Sequence, residues 1–361
     1  MRRYQVAVLP GDGIGPSVIA EGLRTLNLLA DMRGDFQLET EEFPWGCEYY
    51  LRHGSMMPSD ALGTLAQFDA LYLGAVGYPT VPDHVSLWGM LLPIRQGFDL
   101  YVNLRPIRLL PGISGPLRHA GPQDINFVCV RENTEGEYAG VGGRVHRGTQ
   151  EEVAMQTAVF TRRGVERIIR YAFDLARREG RRKVTSATKS NAQQYGPVLW
   201  DEVFASVAAK YPQIATDKCH IDALAARFVT HPQTLDVVVA SNLFGDILTD
   251  LGGALQGSLG LPPSANFHPD SATRRGPGLF EPVHGSAPDI ADKEIANPIA
   301  AIWSGQLMLE YLGEGEAAAA LMSAIEAVTA AGQVRTPDLG GSATTTQMGD
   351  AIRGALRAQS L

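Results

Sequence analysis

Five strand-length apolar runs, separated by segments of helical period, predict an α/β fold. The runs lie at residues 4–9, 70–74, 125–130, 184–187 and 235–240. Size is the other observation: 361 residues with 45% hydrophobic content bury a substantial core and suggest two domains.

The first run ends in Leu9-Pro10-Gly11-Asp12-Gly13-Ile14-Gly15-Pro16. This glycine-rich turn leads from a strand into a helix, and Pro16 suits a first helical position, where no N–H is needed. Its spacing is G-x-G-x-G rather than G-x-G-x-x-G, and no clean acidic residue closes a second parallel strand, so it reads as a ligand-lining turn and not as a Rossmann fingerprint. Thr161-Arg162-Arg163-Gly164 opens a helix in which Val165, Ile168, Ile169, Ala172, Phe173 and Ala176 recur at helical spacing until Gly180. That pattern predicts a surface helix packed on a sheet. Residues 183–188 form a strand, and Val237-Val238-Val239-Ala240 a buried one followed by a helix. Gly, Pro, Ser and Asn crowd residues 257–278, which read as a long loop or a crossing between domains. Three helices follow, near residues 298–312, 316–331 and 346–358.

Net charge is −8 and the pI near 5.5, with no cluster of Lys or Arg long enough to track phosphates, which argues against a nucleic-acid partner. Cys47, Cys129 and Cys219 are odd in number, far apart and outside any Cys-x-x-Cys frame, so neither a disulfide framework nor a thiolate zinc site is expected. The apolar run after Arg2-Arg3 is too short for a signal-peptide core, and no stretch approaches bilayer length. A soluble cytoplasmic protein with no membrane partner is the expectation.

The chemistry concentrates in a few segments. Asp246 and Asp250 stand four residues apart after the buried run 237–240, which puts both carboxylates on one helix face, Cβ atoms about 6 Å apart. Hard oxygen ligands at that spacing suit Mg²⁺ or Mn²⁺, although two solvated aspartates on an amphipathic helix give the same pattern. Asp222, in His220-Ile221-Asp222, is a third possible ligand. Arg95, Arg105 and Arg131 each lie at the end of a predicted element; singly they read as surface arginines, and together they would cradle a dicarboxylate through bidentate forks. Tyr138 offers either a proton donor or a rim phenol. Lys189, at the end of a strand in Thr188-Lys189-Ser190-Asn191, is a candidate base if a nearby cation depresses it. From Gly278 to Asn297 a polar, turn-rich segment carrying His284 and Asp289 can grip an adenosine moiety, with Asp289 accepting bonds from ribose hydroxyls and repelling a 2′-phosphate.

Read together, these segments closely resemble the β-decarboxylating dehydrogenases, the family of isocitrate, 3-isopropylmalate and tartrate or D-malate dehydrogenases. Leu9 to Pro16, Asn103 to Pro106, Arg131 to Tyr138, Thr188 to Asn191, Asn242 to Asp250 and His284 to Asn297 stand in the family's order, almost end to end. Phe43-Pro44-Trp45-Gly46-Cys47-Glu48-Tyr49-Tyr50, Met56-Met57-Pro58 and Val81-Pro82-Asp83-His84-Val85-Ser86-Leu87-Trp88-Gly89 are most similar to the tartrate/D-malate branch.

The resemblance implies a fold that is not Rossmann: a twisted mixed sheet spanning two domains, the larger from residues 1–100 and 257–361 and the smaller from 101–256. It implies NAD, Mn²⁺ or Mg²⁺, and suggests K⁺. It implies a homodimer with shared active sites, Lys189 and Asp222 coming from one subunit and Asp246, Asp250, Arg95, Arg105, Arg131 and Tyr138 from the other. NAD contacts would fall at Gly13, Ile14, Glu281, His284, Gly285, Ser286, Ala287, Asp289, Ile290 and Asn297. Trp88 and Leu91, seven and four residues before Arg95, would share its helix face and set substrate choice, unless they merely pack. Both are apolar, which favours tartrate or D-malate over isocitrate; 3-isopropylmalate is the alternative substrate, and a non-catalytic regulatory subunit the remote one.

Overall fold

The computed structural model describes residues 1–270 and 272–359. In chain order the strands are β1 (Arg2–Gly11), β2 (Phe36–Glu42), β3 (Ala70–Ala75), β4 (Val102–Arg108), β5 (Asn126–Glu132), β6 (Gly136–Val145), β7 (Val153–Val159), β8 (Lys183–Thr188), β9 (Ala215–His220), β10 (Val237–Ala240), β11 (Pro263–Phe267) and β12 (Gly278–Pro282). Among the described residues, ten of them form one mixed sheet in the order β2-β1-β3-β12-β11-β4-β5-β10-β8-β9. Both flanks are parallel, whereas β11 and β4 run antiparallel to their neighbours.

The apolar runs are continuous because the sheet is covered on both faces. On β1, Val6 and Val8 enter one core with Val18, Ile19, Leu26 and Leu29, and the intervening Ala7 and Leu9 enter another with Phe43, Met90 and Ile94. β10 does the same at the other flank: Val237 and Val239 pack on Ile168, Ile169 and Phe173, while Val238 and Ala240 meet Phe228 and Leu248. The first pair of cores draws mainly on the two ends of the chain, the second pair on its middle.

The predicted helix after Thr161 is present at Arg162–Arg178, with the Thr161 hydroxyl accepting from the Gly164 N–H. The last three helices occupy Ile299–Leu312, Gly315–Ala331 and Thr345–Arg357. One reading is corrected: residues 257–278 are not simply a loop, because β11 lies inside them and pairs with β12 and β4. Its Pro263 and Asn266 disfavour a strand locally, and pairing on both sides overrides that preference. β6 and β7 form a separate antiparallel arm whose Val141, Val145, Val153 and Met155 are exposed. No helix among the described residues is long and apolar enough to cross a membrane.

The chain ends are joined by a buried ion pair. Arg353 on the last helix donates to Glu21 on helix Gly15–Arg33 at 2.7 Å, and the two side chains are 9% and 2% exposed. Arg353→Met would leave that carboxylate with Arg24 as its remaining ion-pair partner. A loss of roughly 3 kcal/mol is expected, to be read as a lower urea midpoint at unchanged m-value.

Candidate active site

Helix Asn242–Leu255 organises the site. Residues 242, 246, 249 and 250 share one face by helical spacing, and three of them engage the arginines. The Arg131 guanidinium donates from Nε and Nη2 to Asn242 Oδ1 at 3.1 and 2.7 Å and from Nη1 to Asp246 at 2.5 Å. Arg105 donates to the Thr249 hydroxyl and lies 3.5 Å from the same Asp246 oxygen. The Tyr138 hydroxyl donates to the other Asp246 oxygen at 3.0 Å, with Arg131 above its ring. Arg95, in the last turn of helix Leu92–Gly97, donates to Glu281 of β12 at 2.7 Å, both side chains 7% exposed.

Arg95, Arg105, Arg131, Tyr138, Asp246 and Glu281 line one cavity of about 180 Å³, together with Leu73, Leu87, Leu91, His284 and Gly285. The three predicted arginines, Tyr138 and Asp246 therefore converge. Burial pushes the Asp246 carboxyl up, but Arg131, Arg105 and the Tyr138 hydroxyl outweigh it, so the acid stays below its ordinary range and ionised. Tyr138 is raised, first by burial and then by Asp246, and keeps its proton at neutral pH. Arg95 and Arg105 each retain a buried Nε donor with no protein acceptor, which is what a cradle for an anionic ligand requires.

Asp250 is pushed above the usual carboxylate range by desolvation and by Asp246, against the pull of Arg105. Two hard carboxylates crowded on one helix face fit a divalent cation. No group of three acidic, histidine or cysteine side chains gathers among the described residues of one chain. Asp222 lies elsewhere, 2.8 Å from Lys189. The register of β8 on β9 sets Thr188 against His220, which brings the residues just beyond each strand together. Neither Lys189 nor Asp222 lines the arginine cavity.

The glycine turn approaches the loop after β12 as closely as backbone allows. Gly13 has φ +59°, and a Cβ there would sit 2.0 Å from the Ser286 carbonyl oxygen, while the Ile14 N–H donates to that oxygen at 2.9 Å. Ala287 is itself left-handed at φ +41°. Beside this junction opens a second cavity of about 820 Å³, lined by Gly11, Gly13, Gly77, Pro288, Ile290 and Ala296 among others. Of the predicted cofactor residues Gly13 and Ile290 line it, beside the carboxylates of Asp12, Glu48, Asp292 and Glu294, whereas Glu281, His284 and Gly285 line the arginine cavity. Asp289 is exposed on the same loop, and buried Asn297 is engaged by Asp338 and the Ile299 N–H.

The sequence family described as isocitrate/isopropylmalate dehydrogenase matches residues 5–352. The chain belongs to that family. It is 56% identical over 356 residues to a probable tartrate dehydrogenase/decarboxylase of Agrobacterium vitis, covering 99% of this chain and 98% of that one. To the D-malate dehydrogenase (decarboxylating) of Escherichia coli it is 55% identical over 359 residues, covering 98% of each. An isocitrate dehydrogenase structure from Methylococcus capsulatus superposes with a TM-score of 0.87 at 38% identity, covering 98% of this chain and 99% of that one. The fold expected for an isocitrate/isopropylmalate dehydrogenase is thus the fold observed.

Trp88 does not share a cavity-lining face with Leu91 and Arg95, because Leu87–Leu91 forms a π-turn in which the Leu92 N–H bonds back to the Leu87 carbonyl. The wider turn shifts the helix phase, so Leu87 joins Leu91 on the wall and Trp88, 42% exposed, turns toward Gly140. Pro93, which cannot donate, was the available signal. Sequence reasoning also missed Asn242 and Thr249, whose signal was their spacing from Asp246. Asn242→Ala should release the Arg131 fork and lower kcat/KM by roughly tenfold, measured by steady-state kinetics on a variant whose circular dichroism is unchanged.

Proposed function

We propose that this chain oxidises a compact 2-hydroxy diacid, D-malate or tartrate, at the expense of NAD, and that D-malate proceeds to pyruvate and CO₂. The carrying observation is the small cavity walled by three guanidiniums, an ionised aspartate and a protonated phenol. Relatives named for tartrate and D-malate support the same reading. Leu87 and Leu91 offer no partner for a third carboxylate, in line with a four-carbon acid.

Asp246 and Asp250 would hold Mn²⁺ or Mg²⁺, and the turn at Gly13 with the loop 284–297 would hold NAD. Bound there, the cation supplies Lewis acidity and the dinucleotide accepts hydride. Family likeness alone suggests K⁺. Arg95, Arg105 and Arg131 grip the carboxylate that will leave, fixing the C3–C4 bond for cleavage. Lys189 moves the C2 hydroxyl proton. After CO₂ departs, Tyr138, held protonated by burial and by Asp246, delivers a proton to C3. Asp289 would accept from the ribose hydroxyls and disfavour a 2′-phosphate.

Lys189 and Asp222 would reach this site from a second copy of the chain, giving a homodimer with shared sites built from a large domain (1–100, 257–361) and a small one (101–256). Supporting this, the Lys189–Asp222 pair stands apart from the arginine cavity, and the arm β6–β7 leaves apolar side chains exposed. The cytoplasm suits this chemistry and the free thiols.

A panel of D-malate, tartrate isomers and 3-isopropylmalate with NAD and Mn²⁺, followed for NADH and CO₂, should show turnover of the four-carbon acids and CO₂ from D-malate. A preference for 3-isopropylmalate would overturn the substrate assignment. Mixing inactive Lys189→Ala and Asp246→Asn chains after co-refolding should restore about a quarter of wild-type activity, since half the dimers are mixed and carry one intact site. No recovery would refute sharing.

A further inference from the structure

We infer that Asn266 is a positioning residue for the substrate-binding Arg95, acting through Glu281. This rests on the reading of the arginine cavity as the diacid site. Three buried asparagines meet in the antiparallel middle of the sheet: Asn103 on β4, Asn133 just beyond β5 and Asn266 on β11. Asn266 Oδ1 accepts from Asn103 Nδ2 at 2.9 Å and from Asn133 Nδ2 at 3.0 Å. Asn266 Nδ2 donates to Glu281 Oε1 at 2.9 Å, the oxygen that also takes the 2.7 Å bond from Arg95.

The direction of this chain of bonds is fixed by main-chain carbonyls, which can only accept. The Leu100 carbonyl takes Asn133 Nδ2 at 3.0 Å, and the Leu279 carbonyl takes Asn266 Nδ2 at 3.1 Å. Asn133 must therefore turn its amide nitrogen inward, Asn266 must answer with its oxygen, and the Asn266 nitrogen is left facing Glu281. Glu281 in turn must present an acceptor, which an ionised carboxylate does without reorientation. Arg95 is thereby held by one Nη, while its buried Nε keeps no protein partner and remains for the ligand. Asn103, Asn133 and Asn266 lie outside the cavity lining; they touch no substrate and act only on the aim of the Arg95 fork.

Asn266→Asp tests this with minimal change of shape. It preserves the acceptor that Asn103 and Asn133 need, and replaces the donor facing Glu281 by an oxygen. The assay uses whichever acid of the panel wild type turns over best, so wild-type turnover judges the functional reading and the variant-to-wild-type ratio judges the relay. Expected are a KM for the acid raised about tenfold, as loss of a charge-assisted bond implies, and a kcat within about threefold of wild type. In a Glu281→Gln background the same substitution should add little, because residues acting in one network are not additive. A structural defect would instead lower Tm and kcat and persist in that background. Should Asn266→Asp not fold, Asn133→Ala removes one donor at the far end and should give the same KM shift in smaller measure. An unchanged KM, or a full effect on top of Glu281→Gln, would overturn the inference.

Discussion

Arg131 carries a charge with only 2% of its side chain exposed. Removing such an ion from water costs several kcal/mol, and burial pulls the guanidinium down to about 10, still charged at neutral pH. Two groups offset that cost, the Asp246 carboxylate and the Asn242 amide oxygen, and both ride on helix Asn242–Leu255. The helix can neither slide nor turn without stranding a buried cation. Thr249 and Asp250 are carried along on the same face, so one buried charge sets the placement of Arg105, of both helix carboxylates and of the phenol that leans on Asp246.

The sheet makes that arrangement possible. Arg105 and Arg131 come from adjacent antiparallel strands and Glu281 from a strand far away in sequence, with β11 between them. Apolar cores lie on either side of this antiparallel middle, those of the chain ends on one flank and those of its centre on the other. The middle itself is polar and buried, an expensive choice unless every amide is paired. Asn103 and Asn133 both donate to Asn266, and the other amide bonds reach Ser264, Glu281 and main-chain carbonyls, although the oxygens of Asn103 and Asn133 find no donor. A network tolerated at that cost is more economically read as aiming the site than as stabilising the sheet.

How much of this was legible in the sequence depends on distance along the chain. The runs at β1 and β10 were plain because two-sided burial demands continuous apolar residues, and the Asp246 and Asp250 spacing was plain because four residues make one helical turn. The convergence of Arg95, Arg105 and Arg131 was legible only as a possibility until the family order of motifs was considered. Leu87 rather than Trp88 lines the arginine cavity because simple helical counting fails across the π-turn before Pro93. β11 was hidden since Pro263 and Asn266 are poor strand formers, and only its neighbours decide its state. Asn242 and Thr249 carry no chemical signature of their own; their work appears once Arg131 and Arg105 arrive from other strands.

Charge at the site gives a reason for the cation and the diacid to depend on each other. Three guanidiniums face Asp246, Glu281 and Asp250, so the cradle is close to neutral when all three acids are ionised. A dianion entering alone would leave that balance strongly negative, beside an Asp250 carboxyl already pushed upward by burial and by Asp246. A divalent cation entering alone would meet Arg105 and Arg131 with no anion between. Together they cancel, which makes cation and diacid each raise the affinity for the other by reciprocal linkage. What the protein leaves unfilled is not charge but hydrogen bonding, the buried Nε donors of Arg95 and Arg105 that have no protein acceptor.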